Sequence, residues 1–145
     1  MPEGDADCVF CRIAAGDHSD AAVVLDEPQA IAFLDHRPLF PGHTLVIPRR
    51  HHVTLADLPA KEVEPFFATV QRLSVAVPEA MDKPGSFVAM NNIVSQSVPH
   101  LHVHVVPRKP KDGLRGFFWP RTKYESEQQL HEARDAIRAA LETIG

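Results

Sequence analysis

His100-Leu-His-Val-His-Val-Val106 decides the fold. The stretch alternates strictly, and on a β-strand residues i, i+2 and i+4 share one face. His100, His102 and His104 are therefore expected on one side, about 6.7 Å apart in succession, with Leu101, Val103 and Val105 facing a core on the other. A solvated strand face ordinarily carries Thr, Lys, Glu and Arg. From Pro84 to Pro107 the sequence has no Asp, Glu, Lys or Arg at all. The stretch calls for uncharged, hydrogen-bonding, nucleophilic groups. Histidine is concentrated elsewhere too: of nine, His43, His51 and His52 fall in a second short window.

Such a row serves two chemistries. His-X-His on a strand is a natural metal chelate, although a hydrolytic metal site usually recruits carboxylates and none lies nearby in sequence. The other chemistry is nucleophilic attack at phosphorus. A neutral imidazole, with an ordinary pKa near 6.5, attacks well at neutral pH and leaves well afterwards. A neighbouring histidine that donates a proton or hydrogen bond can neutralise phosphoryl oxygens. Gln96 and Ser97 supply further neutral donors just before the row.

Working outward, Val23–Leu25 and Ala30–Leu34 flank a turn and read as strands, as do His43–Ile47, Ser86–Met90 and His100–Val106. Pro59 to Val77 is helical, with Phe66, Val70, Leu73 and Val77 as one apolar stripe. Pro65 is expected to kink that helix or mark its true start, and Pro78 to close it. A second helix is expected from about residue 126, with Ser126 as N-cap, Gln129 completing a capping box, and Leu130, Ala133, Ile137, Leu141 and Ile144 as a buried stripe. Residues 109–124 read as an irregular excursion. The expectation is one domain over residues 1–145, of α+β class: an antiparallel meander sheet of about five strands, helices on one face, one helix central and one C-terminal.

The chain has 145 residues, 44% hydrophobic, with a net charge of −4. That composition supports a core and argues against binding to nucleic acid or an anionic membrane surface, which needs surplus Lys and Arg. No apolar run approaches the ~20 residues of a membrane span, and the start lacks the basic and apolar regions of a signal peptide, so a cytoplasmic protein is expected. Cys8 and Cys11 form Cys-Val-Phe-Cys. A reducing compartment disfavours a structural disulfide, leaving a redox dithiol, half of a metal site, or two buried thiols.

Ser97-Val-Pro-His-Leu-His-Val-His-Val-Val-Pro-Arg108 resembles the signature of the histidine triad (HIT) superfamily, His-φ-His-φ-His-φ-φ with φ apolar. Cys8-Val-Phe-Cys-Arg-Ile13 resembles that family's start. Ala32-Phe-Leu-Asp35 followed by Pro41-Gly-His-Thr-Leu-Val-Ile-Pro-Arg-Arg-His51 resembles its central segment, in order and at similar spacing. The resemblance implies a HIT-like fold and a hydrolase or nucleotidyl transferase cleaving at the α-phosphate of a purine nucleotide, such as a dinucleoside polyphosphate or nucleoside phosphoramidate. It implies His102 as nucleophile, forming a nucleotidyl-histidine, with His104 on the phosphoryl oxygens and His100 orienting the array through its backbone. Asp35 would accept the ribose hydroxyls, a role suited to a carboxylate. Gln96, Ser97 and Asn91 would lie at the phosphate or leaving group, and His43 beside the cluster. It further implies a homodimer, no catalytic metal, and a structural Zn2+ held by Cys8, Cys11, His51 and His100. One departure is that Asn92-Ile-Val-Ser95 lacks the glycine usual in this loop, which bears on which asparagine contacts phosphate.

The rival functions are a metal-dependent hydrolase using the histidine row and a non-catalytic nucleotide-binding module. His18, His36 and His131 read as surface residues, and His52 as bland. Phe117-Phe-Trp119, outside any element, reads as core or dimer packing, or as a wall on which a base stacks.

Overall fold

The computed structural model describes residues 7–115 and 120–144. Phe117-Phe-Trp119, and with it the choice between packing and base stacking, lies outside the described residues. The chain forms two compact units, Met1–Asp112 and Gly113–Gly145. In the first, α1 (Val9–Ala14) precedes β1 (Val23–Asp26), β2 (Ala30–Leu34) and β3 (Thr44–Pro48). A 3-10 turn (Leu55–Asp57) leads into α2 (Ala60–Ala80), followed by β4 (Gly85–Ala89) and β5 (Val103–Arg108). Among the described residues no helix is long and apolar enough to cross a membrane.

The five strands form one antiparallel sheet in the order β1-β2-β3-β5-β4. The first three follow a meander; the last two exchange places. Burial explains why. In β5, Val103, Val105, Val106 and Pro107 are buried on both faces, which suits an interior strand. In β4, intermediate and exposed residues alternate, which suits an edge.

The expected stripe of α2 is buried: Phe66, Val70, Leu73 and Val77 pack on Ala32, Val46, Leu101, Val103 and Val105. Each such side chain stabilises the fold by about 1.5–3 kcal/mol. Pro65 neither starts the helix nor ends it, since five residues precede it within α2. Pro78 does not close it either. It sits in the last turn, forgoes one hydrogen bond, and is itself buried. The sequence reading also missed α1, which covers the opposite face, so the helices do not share one side. There Phe10, Cys11 and Ala14 pack on Ile31, Phe33, Leu45 and Ile47.

The second unit holds α3 (Glu127–Glu142). Its start is as expected: the Ser126 hydroxyl accepts from the Gln129 N–H at 3.1 Å. The Gln129 side chain accepts from the Glu125 N–H, one residue before the usual box position. The expected buried stripe is not buried. Leu130, Ile137, Leu141 and Ile144 are exposed, and α3 has no buried residue, because among the described residues its own unit offers no second element to pack against.

Gly42 joins the β2–β3 loop to the core at φ +94°, where a Cβ would sit 2.5 Å from Met81 Cγ. Gly42→Ala is expected to cost about 1–2 kcal/mol for the left-handed backbone alone, and more once Met81 is displaced. Urea denaturation of the two proteins measures it.

Candidate functional site

β5 begins only at Val103, so His104 is the one member of the row within a regular strand; His100 and His102 lie on the approach to it. The late start has a local cause. The Leu101 N–H donates to the His52 carbonyl at 2.7 Å instead of to a neighbouring strand. The expected division of side chains still holds. Leu101, Val103 and Val105 enter the α2 core, whereas the His100 and His102 rings stand edge-on to Phe10 of α1, at centroid distances of 6.0 and 5.2 Å. The His104 ring lies 5.2 Å from His102 and 5.1 Å from His43.

Hydrogen bonds fix which nitrogen of each ring carries the proton. His102 Nδ1 is 2.8 Å from the His100 carbonyl. A carbonyl only accepts, so Nδ1–H donates and the neutral ring keeps its lone pair on Nε2. His100 Nε2–H donates to the Pro48 carbonyl at 2.9 Å, which leaves Nδ1 bare. The Leu39 N–H donates to His43 Nδ1 at 3.0 Å, so His43 holds its proton on Nε2 and donates it to His104 Nδ1 at 2.9 Å. His104 must then carry its own proton on Nε2. Burial first, then repulsion from His102 and His43, drives the pKa of His104 down to about 4, against the pull of Asp35. Burial lowers His43 as well, opposed by Asp35, whose Oδ2 lies 3.7 Å away.

A cavity of about 390 Å3 opens over this face, within the range of small-molecule sites. Val9, Phe10, Ile13, Phe33 and Leu45 make an apolar wall. Asp35, Ser97, His102 and His104 make a polar end. His43 is buried behind His104 and acts on the cavity only through it. Phe10 and its helix were not found from sequence, although Val9, Phe10 and Ile13 carry helical spacing.

The remaining expected residues are placed otherwise. Gln96 and Asn91 do not line the cavity. The Gln96 amide accepts from the Ile93 N–H at 3.1 Å and donates to the Val53 carbonyl at 2.6 Å. The Asn92 carbonyl oxygen accepts from the Leu55 N–H at 2.8 Å. Two side-chain amides thus pin the loop before the histidines to the segment before α2. Within that loop Ile93 and Ser95 adopt φ of 71° and 62°, left-handed positions at non-glycine residues. His52, unremarkable in sequence, is buried with its Nε2 3.4 Å from Glu62 of α2.

Two side-chain sets have metal-binding spacing. Cys8 Sγ, Cys11 Sγ, His51 Nδ1 and His100 Nδ1 all lie within 4.8 Å of one another. Their S···N separations are 3.1–3.5 Å. A tetrahedral zinc with bonds of about 2.3 Å to sulfur and 2.0–2.1 Å to nitrogen spans about 3.5 Å on such an edge. The His100 tautomer aims a bare nitrogen at the centre, and its far N–H is anchored on a carbonyl, as metal-bound histidines usually are. The donors therefore fit a structural zinc. Asp35, His43 and His104 meet the same distance test but not the chemical one. Leu39 occupies His43 Nδ1, so metal on Nε2 would require breaking that bond or stripping the ring of both protons. That set reads as a hydrogen-bond chain.

Unfolded histidine protonates below about pH 6.5, whereas folded His104 stays neutral to about pH 4. The unfolded state binds more protons in that window, so stability falls as pH drops from 6.5 to 4 and is fully present above it. Urea midpoints at pH 7, 5.5 and 4.5 are expected to show this slope, reduced in His104→Asn.

A HIT domain is matched over residues 17–111. The uncharacterized HIT-like protein SSO2163 of Saccharolobus solfataricus is 34% identical over 142 residues, covering 94% of this chain and 99% of its own. Adenylylsulfatase HINT3 of Arabidopsis thaliana is 34% identical over 110 residues, 74% of this chain and 55% of that protein. Adenosine 5'-monophosphoramidase HNT1 of Candida albicans is 28% identical over 135 residues, 88% of each. A crystal structure of a zinc-bound histidine triad family protein from Mycobacterium smegmatis superposes with a TM-score of 0.69 at 35% identity, covering 96% of this chain and 98% of that one. The matched span begins before β1 and ends beyond β5, taking in all three histidines of the row, and the chain belongs to the histidine triad (HIT) family.

Proposed function

We propose that this protein is a nucleotide hydrolase or nucleotidyl transferase that cleaves at the α-phosphate of a purine nucleotide through a covalent intermediate on His102. Hydrolysis of nucleotides is the general activity of the family, and its named relatives include an adenylylsulfatase and a monophosphoramidase. The observation that carries the reading is the His102 tautomer. Its Nδ1–H is committed to a carbonyl, so the lone pair stands on Nε2 beside the cavity and Asp35.

In this reading the base lies on the wall of Phe10, Ile13, Phe33 and Leu45, and Asp35 accepts the ribose hydroxyls. His102 Nε2 attacks the α-phosphorus and the leaving group departs with the phosphorus–oxygen, –nitrogen or –sulfate bond electrons. The imidazolium so formed keeps its Nδ1–H on the His100 carbonyl, which stabilises the new positive charge. His104 Nε2–H and the Ser97 hydroxyl donate to the phosphoryl oxygens. Water then breaks the N–P bond and restores the neutral ring. His43 is a positioning residue that keeps His104 a donor. Of the loop amides Asn91 is the one left for a leaving-group contact, since Asn92 and Gln96 are engaged in the loop.

Structural zinc on Cys8, Cys11, His51 and His100 would tie α1 to the β3–α2 segment and the histidine row, and the zinc-bound relative supports it. A homodimer is supported by the uncovered stripe of α3, because a lone helix of this length is marginal in water. Cys8 and Cys11 form no disulfide, which fits a cytoplasmic setting.

A panel of adenosine phosphoramidate, adenylyl sulfate and diadenosine tri- and tetraphosphate is expected to contain at least one substrate, with His102→Asn slower by about 10³-fold or more. Mass spectrometry of quenched turnover should place the nucleotidyl group on His102. Absence of turnover on every nucleotide would favour the binding module. Protein purified without chelator is expected to carry near one zinc per chain, and stripping it to lower the melting temperature. Ile137→Glu is expected to shift sedimentation from dimer to monomer without altering the panel result per active site.

A further inference from the structure

Three of the chain's five lysines, Lys83, Lys109 and Lys111, face a second cavity of about 500 Å3. It shares no lining residue with the first. The strand register gathers them. Gly85 pairs with Arg108, so Lys83, two residues before β4 begins to pair, comes beside Lys109, just after β5 ends. The opposing wall is apolar: Phe40, Pro41, Met81 and Pro107.

Like charges gather at a cost, and among the described residues no ion pair offsets this one. The one carboxylate at the cavity, Asp112, is already neutralised. Arg108 grips both of its oxygens, at 2.8 and 2.9 Å, and the Lys109 N–H approaches at 3.3 Å. Its side chain is 5% exposed. Among the described residues none of the three lysines forms an ion pair. The chain as a whole is acidic, so a local surplus of three cations runs against its net charge. Lys83 lies just past the end of α2 and there complements the helix dipole, but Lys109 and Lys111 have no such role.

We propose that this cavity is a second anion site, which takes a phosphate chain of two or three linked phosphates. A single phosphate presents too little charge to span three ammonium groups, whereas a linear polyphosphate offers successive oxygens to each. The apolar wall excludes water on one side, which strengthens the pairing. Phe40 and Pro41 belong to the loop whose Leu39 N–H fixes His43, so an occupant would touch the segment that sets the His104 tautomer.

The test uses the full chain carrying His102→Asn, with inorganic tripolyphosphate titrated in by calorimetry while adenosine monophosphate saturates the first cavity. The expected result is one tripolyphosphate bound per chain, weakened at least tenfold in the triple variant Lys83→Ala, Lys109→Ala, Lys111→Ala and about threefold or more in Lys109→Gln alone. Lys61→Ala is the control and should bind as the parent does. Affinity within twofold of the parent in the triple variant, with its melting temperature preserved, overturns the proposal. So does competition in which adenosine monophosphate displaces tripolyphosphate one for one. Binding is read without turnover, so failure of the catalytic reading leaves this result standing.

Discussion

The hydrogen bond from His102 Nδ1 to the His100 carbonyl is the constraint on which the rest depends. A free imidazole exchanges its proton between two nitrogens, and only one of the two tautomers leaves the lone pair on Nε2. Here the backbone makes the choice. It can do so because residues 100–102 lie just short of the strand, where the carbonyl of one histidine meets the ring of the next but one. Had β5 begun three residues earlier, as the alternation alone suggests, that carbonyl could have been taken by the ladder.

The same residue serves a second centre. The His100 ring reaches the two cysteines while its carbonyl reaches His102. Pro48, at the end of β3, holds the far side of that ring. Backbone carbonyls at either end thus dictate both tautomers, and the thiol cluster and the histidine side of the cavity share one anchor. The buried environment completes the arrangement by keeping His100 and His104 neutral well below their ordinary range. A row of charged histidines would repel; a row of neutral ones can pass hydrogen bonds in a fixed direction, from Leu39 through His43 to His104.

Much of this was legible in the sequence, because period-two alternation set Leu101, Val103 and Val105 toward a core and the three histidines on the other side. The α2 stripe was legible for the same kind of reason. What escaped depends on contacts distant along the chain. α1 is six residues long, too short for periodicity to announce, yet it walls the cavity with Phe10. The place of β5 inside the sheet follows from packing against β3, which no local pattern encodes. The resemblance implied Gln96 at the phosphate or leaving group, and no local pattern shows that its amide donates to the Val53 carbonyl, 43 positions away. The α3 stripe was read correctly as apolar and wrongly as buried, since periodicity reports which side of a helix is greasy and not what covers it.

Ile93 and Ser95 sit in left-handed backbone that glycine would adopt freely, and a branched residue there stores about 1–2 kcal/mol. The store is held shut by two amides, Asn92 and Gln96. A loop so loaded has less to lose by opening than a paired strand of the sheet. Local unfolding of this loop should accordingly need less free energy than melting of the sheet.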